Sequence, residues 1–211
     1  MNRRELLKLI AAATGGIVIG GEFLLSGCTN PESSGGGFAF TEDNIAFLDE
    51  IAETILPQTS TAGAKAAGVG RFMTVMVNDC YTKEDQEIFH KGLGILDEAC
   101  KKMHGHGFMQ TTPEQRKELL ISLEKDAKEH QKKKSEFEKL QDDLEKDALA
   151  NRNKDFKREE MPSHYYTMMK QLTLTGFFTS KVGATQVLRH VAVPGKYEGC
   201  IPYKKGDRAW A

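Results

Sequence analysis

The stretch from Glu114 to Glu160 constrains this chain more than any other, because 13 basic and 14 acidic residues stand among its 47 positions. Leu119, Leu120, Leu123, Ala127, Phe137, Leu140 and Leu144 provide sparse apolar contacts along it. Charge at that density cannot be buried, while i,i+4 pairs such as Glu124/Lys128 and Glu129/Lys133 each add ~0.2–0.5 kcal/mol to a helix. The segment therefore reads as an exposed helix or a helical hairpin. Its signs nearly cancel, which makes it a solvated face and not an arm for nucleic acid.

The core must then come from the flanking segments, and both show helical periodicity. Thr41 precedes Glu42 and Asp43, with Ile45, Leu48, Ala52 and Ile55 spaced along one face and Pro57 after them, predicting a capped helix over 42–56. A turn-rich loop, Gln58 to Gly68, separates it from Val69, Phe72, Met73, Met76, Val77 and Cys80, a second apolar stripe. Thr82 with Asp85 resembles a capping box, and Phe89, Leu93, Leu96, Cys100 and Met103 trace the core face of a third helix. Thr112-Pro113-Glu114 starts a fourth. From Met161 the composition turns apolar and aromatic again (Tyr165, Tyr166, Met168, Met169, Leu172, Leu174, Phe177, Phe178), and a helix beginning near Ser163 should pack on the first three. Glu, Lys, Leu and Ala are frequent and no long alternating Val/Ile/Thr run occurs. The expected fold is all-α: one domain of five to seven helices ending in an extended segment, residues 193–211, that holds Gly, Pro, Tyr197, Tyr203 and the only Trp, Trp210.

Ahead of the helices, Asn2-Arg3-Arg4-Glu5-Leu6-Leu7-Lys8 leads into an apolar stretch ending at Leu25, which resembles a twin-arginine export signal. Five polar or glycine interruptions and a length near the lower limit for crossing ~30 Å of hydrocarbon favour a cleaved signal over a permanent span. Leu25-Ser26-Gly27-Cys28 resembles a bacterial lipobox, so Cys28 is the expected lipidation site. This divides the chain into a signal over 1–27, a polar, Gly-rich tether over 28–37 and a folded part over 38–211, placed in the periplasm and lipid-anchored to a membrane. The formal net charge of −1 offers no basic surface to nucleic acid. Twin-arginine export carries folded chains, often because a cofactor must be inserted first. The chain thus needs a cofactor of its own or a partner that has one.

Motifs for chemistry are missing. Gly68-Val69-Gly70 has Met73 where a dinucleotide fingerprint needs its third glycine, and no strand precedes it. His104 and His106 have no Cys or acidic partner at ligand spacing and read as a helix C-terminus. No C-x-x-C or C-x-x-C-H occurs. Ser180 beside Lys181 reads as a helix cap, not a nucleophile. No catalytic, cofactor-binding or metal-ligating residue is expected. With Cys28 given to lipid, Cys80, Cys100 and Cys200 remain in an oxidising compartment. The expectation is a Cys80–Cys200 disulfide, with Cys80–Cys100 as the rival pairing and Cys100 otherwise a buried thiol on an apolar stripe.

Several runs in order are similar to the gluconate 2-dehydrogenase subunit 3 family: the export signal, Phe40-Thr41-Glu42 leading to Ile55-Leu56-Pro57-Gln58-Thr59, and the Gly68-Val69 to Phe72-Met73 run. Further on come Leu172-Thr173-Leu174-Thr175-Gly176-Phe177-Phe178-Thr179-Ser180 and Pro194-Gly195-Lys196-Tyr197-Glu198-Gly199-Cys200. The resemblance covers roughly 38–211 and departs in the charged stretch 124–160, which looks like an enlarged helical insertion, and in the lipobox. It implies a noncatalytic subunit with no cofactor of its own, partnered by a large FAD-dependent dehydrogenase of the glucose-methanol-choline type that oxidises a sugar, sugar acid or alcohol. A cytochrome c would be the electron acceptor. Tyr197, Tyr203 and Trp210 are the candidate contacts to that partner, since aromatic anchors concentrate binding energy. The rival reading is a stand-alone periplasmic lipoprotein with a binding or hydrolytic role, for which His164 and His190 are the candidate bases.

Overall fold

Thr41 opens the first helix, α1 (Glu42–Ile55), through a reciprocal capping box: its Oγ1 accepts from the Asn44 N–H at 3.2 Å while Asn44 Oδ1 accepts from the Thr41 N–H at 3.2 Å. The structure, a computed structural model, describes residues 39–153, 155–193, 195–196 and 198–210. Four more α-helices follow among these: α2 (Val69–Cys80), α3 (Lys83–His104), α4 (Pro113–Ala150) and α5 (Tyr165–Thr179). Short 3-10 turns at Lys65–Ala67 and Phe108–Gln110 and a π turn at Gly183–Val187 join or extend them. There is no strand among the described residues, only an isolated bridge between Arg189 and Trp210. The all-α expectation holds.

Helix α5 is the centre and touches all four of the others. Tyr165, Tyr166, Met168, Met169, Leu172, Thr173, Gly176 and Phe177 are buried on it, about half of its circumference, while Gln171, Leu174, Thr175 and Phe178 face solvent. The aromatic residues of 165–177 therefore belong mainly to the core, together with Leu48, Ile51, Met73, Val77, Phe89, Leu96 and Phe108. Two glycines set the helix spacing. A Cβ on Gly176 would lie 2.5 Å from the Phe72 ring, and one on Gly70 would lie 2.6 Å from the Ile45 carbonyl oxygen, so α2 approaches both α5 and α1 closely only without those side chains.

A row of acids on α1 ties the apolar pieces together. Asp49 accepts the Gly70 N–H at 2.7 Å, satisfying a free donor in the first turn of α2 where the helix dipole also favours negative charge. Glu53 accepts the N–H groups of Gln58 at 2.7 Å and Lys65 at 2.9 Å, fixing the loop between α1 and α2. Glu50 binds both Lys65 and Arg116, and the hydrogen bond from Lys65 is the main reason its carboxyl stays below the usual range although burial opposes this. Arg116 also donates to the carbonyls of Phe108 (3.1 Å) and Met109 (3.2 Å) and lies 5.2 Å over the Phe108 ring.

The charged stretch resolves the choice between helix and hairpin. α4 is one helix of 38 residues, started by a second capping box at Thr112 and Gln115. Its first half buries Leu119, Leu120, Leu123 and Ala127 against the core, and Glu124 receives Lys170 of α5 at 2.8 Å. The chain beyond it makes contacts back along the helix: the Glu159 N–H donates to Gln141 Oε1 at 3.1 Å, and Arg158 pairs with Asp142 at 2.7 Å and Glu145 at 2.9 Å. Several expected core positions are corrected: Cys80 at the end of α2 is exposed, and so are Leu174 and Phe178 of α5. Met103 is 43% exposed, because His104, one step further round α3, is the residue turned toward α4, its Nε2 3.1 Å from the Gln115 carbonyl oxygen.

Candidate partner interface

The segment after α5 differs from everything before it, and Ser180 makes the break. Its Oγ donates to the Phe177 carbonyl at 2.7 Å and accepts the Gly183 N–H at 2.9 Å, so it ends one helix and caps the π turn, the capping role read from the sequence. Val187 still packs on the core. From Leu188 onward the side chains are largely in solvent.

What holds this tail is mostly the tail itself. The Arg189 N–H donates to the Ala209 carbonyl at 2.8 Å, and the Arg189 guanidinium sits 4.2 Å over the Trp210 ring, a cation–π contact worth ~0.5–1 kcal/mol at this exposed site. A tight turn brings the chain round between them: the Lys204 N–H donates to Asp207 Oδ2 at 2.9 Å and the Asp207 N–H to the Lys204 carbonyl at 3.0 Å. The loop so closed surrounds a cleft of about 770 Å³ lined by Arg189, Val191, Val193, Lys196, Ile201 and Trp210 among others. Val193 is 82%, Tyr203 75% and Trp210 47% exposed. The exposed Val191, Val193, Ile201 and Trp210 share that cleft with the charged Arg189, Lys196 and Glu198.

The expected anchors fall as follows. Trp210 lines the cleft; Tyr203 stands on the same segment, outside that lining; Tyr197 lies outside the described residues. Arg3, Arg4 and Cys28 lie outside them too. Arg189, Val191, Val193 and Ile201 were not singled out by sequence reasoning. The signal available for them was the Val-Ala-Val alternation at 191–193, which in extended chain puts both valines on one side.

The expected Cys80–Cys200 disulfide is not formed, nor is the rival Cys80–Cys100 pairing: all three cysteines are free. Cys100 is buried, with its Sγ 3.9 Å from Thr111 Oγ1, and burial pushes its thiol above the ordinary value. Cys80 is exposed, its Sγ 4.0 Å from Met76 Sδ, while the tail carrying Cys200 closes on itself through Arg189 and Trp210. His164 and His190 are not brought together. His164 caps α5, its Nδ1 accepting the Tyr166 N–H at 3.2 Å, with His130 at 5.6 Å and Tyr165 at 4.4 Å between ring centres. His190 lies in the exposed tail, beyond the other end of a helix ~22 Å long. No group of three or more His, Cys, Asp or Glu side chains among the described residues is placed to hold a metal, and no described helix is long and apolar enough to cross a membrane.

The arrangement is thus a helical body followed by a tail that leaves several apolar side chains in solvent. No curated protein and no solved structure matches the chain. A family model does, that of gluconate 2-dehydrogenase subunit 3, over residues 42–195. That span begins on the first residue of α1, takes in all five α-helices, the charged stretch included, and ends within the tail. The chain belongs to the gluconate 2-dehydrogenase subunit 3 family.

Proposed function

We propose that this chain is the noncatalytic small subunit of a periplasmic, membrane-anchored flavin dehydrogenase that oxidises a sugar, sugar acid or alcohol. It leads the complex through twin-arginine export by Arg3 and Arg4, is anchored by lipid on Cys28, and stabilises an FAD-binding partner of the glucose-methanol-choline type. Electrons would leave that partner for a cytochrome c. The observation that carries this reading is the tail, whose Trp210, Val193 and Ile201 line one cleft in solvent, next to a body whose own core is already filled. Family membership supplies the complex, and the tail supplies a surface on which such a complex can form.

The test is co-expression of the tagged full chain with an FAD-dependent dehydrogenase of the glucose-methanol-choline type from the same genome. A yellow partner should copurify. Ending the chain after Leu188 should abolish copurification and periplasmic dehydrogenase activity while leaving the helical circular dichroism of the body intact. Equal recovery of the flavoprotein with and without the tail would remove the tail from the interface, and recovery of no flavoprotein would remove the function.

A further inference from the structure

Charge is divided unevenly between body and tail. Residues 38–180 carry 20 basic and 25 acidic side chains, whereas residues 181–211 carry six basic ones (Lys181, Arg189, Lys196, Lys204, Lys205, Arg208) against Glu198 and Asp207. Both of those acids are engaged within the tail: Glu198 pairs with Lys196 at 2.6 Å, and Asp207 Oδ2 accepts the Lys204 N–H at 2.9 Å. Lys204, Lys205 and Arg208 stand on the tight turn that Asp207 closes, exposed and without an ion pair among the described residues, beside Tyr203. None of these four lines the apolar cleft.

The tail leaves the body at the end where the chain enters it. Glu42, in the first turn of α1, lies 3.9 Å from Arg71, and a Cβ on Gly176, in the last turn of α5, would lie 2.5 Å from the Phe72 ring. The start of α2 therefore touches both the start of α1 and the end of α5. From Cys28 to Thr41 the chain can span at most ~45 Å, so a lipid on Cys28 would keep this end close to the membrane. Glu42, Asp43 and Arg71 belong to the same end, and counted with the tail they still leave three positive charges in excess. We propose that the turn from Tyr203 to Arg208 lies on the anionic phospholipid surface of that membrane. The inference takes its orientation from the lipid anchor proposed above. Lys204, Lys205 and Arg208 reach the lipid phosphates, and the Tyr203 ring enters the headgroup layer, which favours an aromatic body with a polar tip. Cations interleaved with an aromatic at the anchored end fit a lipid surface, and the cleft that a protein partner would fill is left free by this contact.

Trp210, the chain's only Trp, reports the contact without a label. The purified full chain, as exported, is placed in vesicles of phosphatidylcholine alone or mixed with phosphatidylglycerol, each with a trace of dansyl-headgroup lipid, and energy transfer from Trp210 is read. Transfer should be higher on the anionic vesicles and fall to the neutral level in high salt, which screens exposed charge. Lys204→Glu, Lys205→Glu and Arg208→Glu together should weaken the docking at least about a hundredfold and remove the excess, whereas Lys204→Arg with Lys205→Arg should keep it. Equal transfer on the two vesicles, or an excess that survives salt or charge reversal, would overturn the contact. So would a triple variant that keeps its vesicle signal but loses the copurifying flavoprotein, which would give these cations to the protein partner. The mass of the same preparation reads lipid on Cys28 separately, and an unlipidated chain that still prefers anionic vesicles would remove the anchor and leave this contact standing.

Discussion

The body of five helices and the tail after Leu188 are built from similar residues and obey opposite rules. In the body, Phe89, Phe108, Met73 and Leu96 are fully buried, and acids on α1 and α3 meet the backbone N–H groups at the loops. In the tail, Val193, Tyr203 and Trp210 are left in water, and the fixed points are one backbone bridge, one cation–π stack and one tight turn. The difference separates two uses of apolar residues. Those of the body stabilise the fold, and those of the tail are available to something outside it.

Truncating one residue of each kind makes the sharpest contrast. Phe89→Ala removes a fully buried ring in contact with Phe40, their centres 6.2 Å apart, and should cost ~3–5 kcal/mol in chemical denaturation. Trp210→Ala should change that stability by no more than ~1 kcal/mol, the worth of its exposed contact with Arg189, yet lower recovery of the copurifying flavoprotein. If the two variants destabilise alike, the tail is part of the core and the contrast fails.

Next in size is the polar seam of the body. Glu50→Gln keeps the volume but removes the charge shared by Lys65 and Arg116, whose own side chain is only 14% exposed. The expected cost is ~1–3 kcal/mol, read from the denaturation midpoint, because Arg116 keeps its carbonyl partners but loses its counter-ion. A cost below a few tenths would make Glu50 a surface charge like those of the outer half of α4. A smaller loss, ~1 kcal/mol, should follow Thr112→Ala, which removes the hydroxyl acceptor at the start of α4.

How far these features were legible before the structure depends on what kind of contact makes them. The helices, their threonine caps and the stripes of α1 to α3 follow from spacing, and their boundaries fall within a residue or two of expectation because caps and Pro57 are local signals. Met103 was misplaced because a stripe fixes a face only until the last turn, where a single contact of His104 decides the rotation. The roles of Asp49, Glu50 and Glu53 were invisible, since an acid on a helix looks solvated until the backbone it binds is in place. The cysteine pairing rested on counting thiols in an assumed compartment, and counting holds no geometry. Of the tail's cleft, Trp210 stood out by residue type, whereas Arg189 and the valines needed the tail's closure to become neighbours.

The smallest expected effect lies where body and insertion meet, at the N-terminus of α5. Burial holds the His164 imidazole below its ordinary pKa, His130 nearby adds to the effect, and Asp126 opposes it. The ring's Nδ1 must stay unprotonated to accept the Tyr166 N–H. In the unfolded chain His164 takes up a proton near pH 6.5, before the folded chain does. Between that pH and the lower folded value the unfolded state binds more protons, so stability rises with pH and falls as pH drops through this window. His90, held low by burial, contributes in the same sense. His164→Asn retains an acceptor for the Tyr166 N–H but cannot titrate. Its stability should therefore fall less steeply than wild type between pH 7 and 5, with the remaining slope due largely to His90. A slope unchanged in His164→Asn would mean that the imidazole is already as free as one in solvent, and the start of α5 would then resemble the open tail more than the body it anchors.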